Sequence, residues 1–494
     1  MRFAMPRFLQ ASVFAGVVWA GGVVAGSPPP ADPTPPAAVP TASTLPKYSA
    51  RPCCSLCPRA GDPQAYEGSK FMNDFRVLID GRNGWLFRTA LDLPTQFNVS
   101  DESLTQLHRL SEALGQRGTR IVMVYQPPRG LMDPDKLTPT QRRGYNLDMA
   151  RSNYAQALQR MRSEGGVIVP ALDKLVDEHK GYDYYFRRDH HWTAAGAQHT
   201  AKAVADAMKN QPGFSAIARK KFETHTQGVI GKPGTLQKVA SQMCGGAYSM
   251  QYEPVFVTDP VGGDSLLGRE SQPDVVLVGT SNSDSLGGYN FAGYLEENLG
   301  VDVLNVAITG GSYEGSLLHY LASKEFQQHP PKFIIWETPY QDYPDTEQMA
   351  FKVYRQAIPL VNNGCRGKTP VLERKVDLHQ GNNEVLFNGG GKILPLVGKQ
   401  YQLEFQFSDP AVKDLAAEVW YFSGLKESLK LHYKQYVDNG GRFNAELRSD
   451  RPDYAAATLM GVTMQLDQAP AKPLSVTAQL CERGGPQELT AQRR

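Results

Sequence analysis

What this chain lacks narrows its class. It has no excess of either charge: 52 Lys and Arg stand against 50 Asp and Glu, a formal net charge of +2. A nucleic-acid binder carries a basic patch or a basic excess, and there is none. After the first 25 residues no apolar run approaches the length of a membrane span. There is no internal repeat and no nucleotide or coenzyme motif, so no cofactor is expected. What remains, 41% hydrophobic and 21% charged residues in a chain of 494, fits a globular protein of two or three domains rather than a disordered or fibrous one.

The first residues read as an export signal. Arg2 and Arg7 supply the positive start, Phe8 to Val24 is apolar and uncharged, and Val23-Val24-Ala25 offers small residues for cleavage after Ala25. A membrane anchor is the competing reading, but the apolar run is at the short limit of a span. Removing residues 1–25 takes away two positive charges and no negative one, so the formal charge falls from +2 to zero. The mature chain is expected to be exported, with no stable membrane span. Residues 26–56 form a Pro- and Ala-rich linker, with Pro28-Pro29-Pro30 and Pro35-Pro36, that cannot bury a core.

Cysteine is scarce: Cys53, Cys54, Cys57, Cys244, Cys365 and Cys481. In an oxidising compartment disulfides are the default, and the wide spacings suit long-range staples. Cys365 and Cys481 bracket the last hundred or so residues and are paired on that ground. Cys244 then reaches back to Cys57, leaving Cys53 and Cys54. Zinc is the competing reading for the clustered cysteines, but no matched CxxC pair follows, and no metal site is expected.

From about 75 to 355 apolar strands alternate with amphipathic helices. Strands are expected at Gly84–Phe87, Arg120–Tyr125 (a central one), Val167–Val169, Asp274–Val278, Val301–Val306 and Phe333–Trp336. Helices are expected at 104–117, 153–163, 171–178, 194–208, 290–298 and 314–327, with Gln126-Pro127-Pro128-Arg129-Gly130 as a loop. This alternation predicts an α/β fold, a parallel sheet with helices on both faces, whose functional groups gather at the carboxyl ends of strands. From about 365 the texture changes to short strands with turn signals and almost no helix. Val371–Leu378, Glu384–Phe387, Tyr401–Phe407, Glu418–Phe422, Leu429–Tyr433 and Leu474–Leu480, with turns at Asn388-Gly389-Gly390 and Asn439-Gly440-Gly441, predict a β-sandwich of roughly 120 residues. The expected domains are 57–360 and 361–485, with a tail at 486–494.

Two stretches carry chemistry. Arg188-Asp189-His190-His191-Trp192-Thr193 places a carboxylate two residues from an imidazole, so the carboxylate can hold one ring nitrogen and leave the other as a base. Thr193 is placed to cap the helix that follows, and His190 reads as structural. Val275 to Ser283 is a strand ending in a sharp turn with Ser281 at its tip. Such a turn exposes the hydroxyl and frees backbone N–H groups to hold an oxyanion, but a serine there needs a base. The same turn also suits a serine that merely caps the next segment. Asn305 to Ser312 follows another strand, and its glycines, with Thr309 and Gly310, allow a ligand to approach the backbone or form a plain strand-to-helix turn.

Gly84-Trp85-Leu86-Phe87, the Asp189-x-His191-Trp192-Thr193 box and Gly279-Thr280-Ser281-Asn282-Ser283 resemble the SGNH-like acetyltransferases of exopolysaccharide export. So do Tyr125-Gln126-Pro127-x-Arg129-Gly130, Tyr289-Asn290-Phe291-Ala292-Gly293, Asn362-Asn363-Gly364-Cys365 and Val419-Trp420-Tyr421. The resemblance implies Ser281 as nucleophile, His191 as its base and Asp189 as the residue orienting that base. With the serine last in the chain, the fold is a circularly permuted form. It implies an acetyl-serine intermediate, transfer to mannuronate hydroxyls of the anionic polysaccharide alginate in the periplasm, an acetyl donor from other members of the acetylation machinery, and alginate export proteins as partners. Tyr289, Arg129, Thr309 and Gly310 are expected near the substrate. The terminal sandwich resembles a carbohydrate-binding module in which Trp420 stacks on a sugar and Lys426 meets a uronate. Ala416, Glu418 and Asn382 depart from the basic pattern of that module, which implies weaker capture of a polyanion. An acetylesterase with the same triad and a non-catalytic export scaffold are the alternatives.

Overall fold

The structure is a computed structural model that describes residues 56–246, 250–262, 272–342, 347–435 and 437–484. The expected signal peptide, most of the linker with Cys53 and Cys54, and the tail lie outside these residues.

Leu78–Asp80 (β1) and Leu86–Arg88 (β2) pair antiparallel as a short hairpin. Helix Asp101–Gln116 (α1) starts at Ser100, whose hydroxyl accepts the Ser103 N–H at 3.1 Å, and it buries Leu104, Leu107, Leu110 and Leu114 at helical spacing. Strand Arg120–Gln126 (β3), helices Leu147–Ser163 (α2) and Ala194–Met208 (α3), strand Phe222–Lys232 (β4), helix Thr235–Cys244 (α4) and strand Gln251–Pro260 (β5) follow. Then come Val275–Val278 (β6), Phe291–Leu299 (α5), Val303–Asn305 (β7), Ser312–Ala322 (α6), Phe333–Pro339 (β8) and Glu347–Val361 (α7).

Four of these strands form the central sheet in the order β3-β8-β6-β7, all parallel. Their side chains are almost wholly apolar because helices cover both faces: α3 packs with α5 on one, and α1 with α7 and α6 on the other. Val278 lies opposite Trp336, and Gln126 opposite Pro339, so the carboxyl ends of β3, β6 and β8 open at one rim. Three expectations change. Val167–Val169 is reduced to a single parallel bridge, Ile168 to Val122, beside β3. That leaves β3, read as central, the outermost strand of the continuous ladder. The helix expected over 314–327 breaks at Ser323, whose hydroxyl caps a separate short helix at Lys324–Gln328.

The arm made by β4 and β5 was not legible as strands. They pair antiparallel with each other and with no other strand among the described residues, and α4 sits in their connection. Cys57 joins Cys244 at the end of α4, and so ties the start of the described chain to the arm.

From Leu372 the chain is a sandwich of two four-stranded antiparallel sheets. Leu372–Asp377 (β9), Gly381–Phe387 (β10), Tyr401–Phe407 (β11), Asp414–Tyr421 (β12), Lys426–His432 (β13), Arg442–Glu446 (β14), Leu459–Leu466 (β15) and Ser475–Glu482 (β16) are ordered β10-β15-β12-β13 and β14-β11-β16-β9. Strands β14 and β15 were not anticipated. Exposed and buried residues alternate strictly along β13, as one wet and one packed face require. Cys365 and Cys481 are bonded, as their bracketing position implies. Buried ion pairs fix the sandwich to the α/β part: Arg109 of α1 meets Glu446 at 2.6 Å, and Arg355 of α7 meets Glu427 and the Glu446 carbonyl. No helix among the described residues is long and apolar enough to cross a membrane.

Candidate active site

Strand β6 ends in Gly279-Thr280-Ser281, and a buried carboxylate from β8 shapes that turn. Glu337 accepts the Thr280 N–H at 2.8 Å, the Thr280 hydroxyl at 3.0 Å, the Ser283 hydroxyl at 3.0 Å and the Gln126 amide at 2.7 Å. Gly279 is obligatory here, because a Cβ at that position would lie 2.7 Å from a Glu337 oxygen and 2.9 Å from the Ser283 hydroxyl. The turn therefore presents Ser281, partly exposed, above a closed set of hydrogen bonds.

His191 arrives on the loop before α3. Thr193 caps that helix by accepting the Gly196 N–H at 3.1 Å. His191 Nε2 lies 2.8 Å from Ser281 Oγ, and its Nδ1 meets Asp189 Oδ1 in a short contact. The carboxylate also accepts the His191 N–H at 2.9 Å through Oδ1 and the Thr235 N–H at 2.9 Å through Oδ2. Burial on its own raises the Asp189 carboxyl, but the adjacent His191 imidazole and its hydrogen bond outweigh this and hold it well below the usual carboxylate range. The three groups form a relay: Asp189 fixes the tautomer, and the free ring nitrogen faces the hydroxyl.

His190 packs against His191 with its ring tilted, centroids 3.8 Å apart, and its Nδ1 contacts the Thr235 hydroxyl at 2.6 Å. Burial, with His191 beside it, pushes its imidazole well below the ordinary value. Asp189, His190 and His191 are the one group of metal-ligating type within 4.8 Å of one another among the described residues. Both ring nitrogens of His191 are engaged, by Asp189 and by Ser281.

A cleft of about 620 Å³ opens beside Ser281, with Lys70, Arg76, Arg88, His190 and Gly310 on its walls. The other expected residues divide. Tyr289 is buried with its ring stacked on His191 at 5.5 Å. Gly310 lines the cleft in a left-handed conformation, φ 69°. Thr309 does not line it: its N–H and hydroxyl both donate to Asp284, at 3.0 and 2.7 Å, which tethers the nucleophile loop. Arg129 requires correction. It is 1% exposed and is not among the residues that line the cleft, donating to the carbonyls of Leu86, Phe186, Arg187 and Asp189 at 2.7–3.1 Å over the rings of Trp85, Phe87 and Tyr185. It holds the loop that carries Asp189. Trp420 and Lys426 lie on the outward face of the sandwich, away from the residues lining this cleft. The Lys426 ammonium is 4.9 Å from the indole centre and 3.3 Å from Glu418.

Three contributors escape sequence reasoning. Glu337 sits at the end of an apolar strand, where a lone acid reads as the strand's exit. Thr235 and Lys232 flank Pro233-Gly234 at the exit of β4, a turn signal with no indication of what it covers.

The fold and this rim of polar groups define the SGNH-hydrolase-like class, here followed by a carbohydrate-binding module. A family model described as the SGNH hydrolase-like domain of the acetyltransferase AlgX matches residues 78–340, and one described as a C-terminal carbohydrate-binding module matches 364–492. The chain belongs to the AlgX family. It is 43% identical to the alginate biosynthesis protein AlgX of Pseudomonas syringae pv. tomato, over 89% of this chain and 90% of that one. The solved structure of Pseudomonas aeruginosa AlgX superposes with a TM-score of 0.77 at 41% identity, covering 87% of this chain and all of that one. A probable alginate O-acetylase, AlgJ of Pseudomonas putida, is 28% identical over 54% of this chain and 72% of its own length.

Proposed function

We propose that this protein is a periplasmic O-acetyltransferase that acetylates mannuronate hydroxyls of alginate through an acetyl-Ser281 intermediate. The observation that carries the reading is the 2.8 Å contact between His191 Nε2 and Ser281 Oγ, with Asp189 behind the imidazole. The likeness to proteins named for alginate biosynthesis and to a probable alginate O-acetylase supports the substrate.

In the first half-reaction Ser281 Oγ attacks the acetyl carbonyl of the donor while His191 Nε2 takes its proton. Ser281 and Gly310 both line the cleft, and their backbone N–H groups are the proposed oxyanion donors. The donor's leaving oxygen departs with the proton from His191, and acetyl-Ser281 remains. In the second half-reaction a sugar hydroxyl gives its proton to His191 and attacks the acetyl carbon, the ester to the sugar forms, and Ser281 recovers the proton. Lys70 and Arg76 on the cleft wall are suited to uronate carboxylates, and Tyr289 backs the His191 ring. The acetyl donor is supplied by other members of an acetylation machinery, and the acetylated polymer passes to export proteins.

Purified protein given an activated acetyl ester and mannuronate oligomers tests this by mass spectrometry. Acetylated oligomers are expected, and Ser281→Ala abolishes them. Free acetate without acetylated sugar makes the protein an esterase, and no turnover makes it a binding scaffold. Turnover unchanged in Ser281→Ala removes the triad assignment.

A further inference from the structure

The strap Lys232-Pro233-Gly234-Thr235 passes from the arm into α4 directly over the Asp189 loop. Gly234 lies so close that a Cβ would come 2.1 Å from the Arg188 carbonyl oxygen, and it adopts φ +74°, so this contact is fixed by backbone alone. The strap touches both oxygens of Asp189. Thr235 N–H bonds Oδ2 at 2.9 Å, and the Lys232 ammonium lies 4.0 Å from Oδ1, the oxygen that meets His191. That ammonium also sits over two rings, 4.1 Å from the centre of Tyr289 and 4.7 Å from Phe186. Tyr289 in turn stacks on His191. A largely buried cation therefore meets both groups that flank the imidazole, the carboxylate and the phenol ring.

No carboxylate among the described residues comes nearer to Lys232 than 4.0 Å, so its charge is not cancelled by a tight pair. A cation at this distance in a half-buried site weakens the field by which Asp189 favours a protonated His191. A base that must accept the Ser281 proton works only while it is neutral, so the effect of the cation is to extend the range in which the relay is primed.

We propose that Lys232 is a positioning residue that acts through Asp189: its ammonium offsets the carboxylate and keeps His191 neutral and proton-accepting as the medium acidifies. The inference rests on the triad reading above. The charged and titratable groups that face His191 otherwise are Asp189 and His190 on its own loop, Tyr289 beyond the nucleophile turn, and Arg88 past His190. Lys238 of α4 faces Lys232. All of these remain when Lys232 alone is replaced, so the comparison isolates one charge.

The experiment follows p-nitrophenol release from p-nitrophenyl acetate by full-length mature protein between pH 5 and 9, for wild type, Lys232→Met, Lys232→Arg and Ser281→Ala. The small neutral ester removes any role of Lys232 in holding a uronate. Loss of the cation is expected to move the acid limb of the kcat/KM profile upward by about one pH unit, and Lys232→Arg restores the wild-type limb. If Lys232→Met loses its native circular dichroism, Lys232→Gln takes its place in the same measurement. An acid limb unmoved in folded Lys232→Met or Lys232→Gln overturns the inference. So does a Lys232→Arg limb that stays with that of Lys232→Met, which makes the effect one of shape and not of charge. Wild-type release no faster than that of Ser281→Ala sinks the triad reading itself, a result distinct from either.

Discussion

Trp192 and Asn282 are stapled to each other twice. The indole N–H donates to the Asn282 carbonyl at 2.9 Å, and the Asn282 side-chain oxygen accepts the Trp192 backbone N–H at 3.3 Å. Each residue is the immediate neighbour of one of the proposed reacting groups, Trp192 of His191 and Asn282 of Ser281. Two loops 90 positions apart in the chain thus share one register at the point where 2.8 Å separates imidazole from hydroxyl.

Trp192→Phe keeps the buried ring and removes the donor. The Asn282 carbonyl is then left unpaired in a dry site, at a cost of about 1–3 kcal/mol in stability. A small displacement of the base from the serine is expected to lower kcat by roughly 10- to 100-fold with KM little changed. Steady-state kinetics with a small acetyl ester, alongside urea unfolding, check both; full turnover in this variant would show that the staple does not set the geometry.

Glu337 is the second determinant of the nucleophile turn. Glu337→Ala leaves the Thr280 N–H, two hydroxyls and the Gln126 amide without their acceptor, all buried. A loss of about 3–5 kcal/mol in unfolding free energy follows, with turnover abolished or nearly so. Glu337→Gln fills the same space but turns an amide donor toward other donors, so it is expected to fall between the two. Equal denaturation midpoints for Glu337→Ala and wild type would contradict this account.

The outline of this protein was readable because its strongest signals are local. Thr193 announces a helix start, β6 is an unbroken apolar run, and the Asp189–His191 spacing needs no partner to be noticed. What was missed depends on distant packing. Strands β4 and β5 bury few residues outright and are separated by a helix, so neither shows a buried face in sequence. The resemblance puts Arg129 near the substrate; only the folded chain reveals that four carbonyls enclose it. Val167–Val169 has the residues of a strand, but ladder pairing comes down to one bridge at Ile168.

Acid stability should depend on His319. It lies on α6 against Tyr433 of the sandwich, ring centroids 5.7 Å apart, and burial, with Lys434 and His432 nearby, lowers its imidazole to about 4. In the unfolded chain a histidine titrates near ~6.5, so between that value and about 4 the unfolded state binds the extra proton. Stability is then full above pH 6.5 and falls as the pH drops toward 4, by up to ~3 kcal/mol from this residue. Buried His190 shifts in the same direction and adds to the slope. Urea midpoints at several pH values between 7.5 and 4.5 should fall for wild type and fall less for His319→Gln; parallel slopes would rule His319 out as the source.

The sandwich supplies the last test. Pairing places Phe387 opposite Gly461 and Gly461 opposite Trp420, so two aromatic side chains share one outward face with no side chain between them. They stand two strand spacings apart, ~10 Å, and Phe387 is 46% exposed. The Trp420 indole is steadied by its N–H to Thr463 at 3.0 Å and by Lys426 over its ring. Such a face grips a sugar by stacking more than by charge, because Glu418 lies 3.3 Å from the Lys426 ammonium and offsets it. Trp420→Ala is therefore expected to weaken mannuronate oligomers by about 0.5–1.5 kcal/mol, roughly 3- to 10-fold, with little change between low and high salt. Phe387→Ala should matter only for oligomers long enough to reach both rings, and Lys426→Met should cost less than Trp420→Ala. Calorimetric titration of short and long oligomers at two salt concentrations measures all three. Binding lost with Lys426→Met, kept in Trp420→Ala and steeply weakened by salt would mean that charge, and not the aromatic face, holds the polymer.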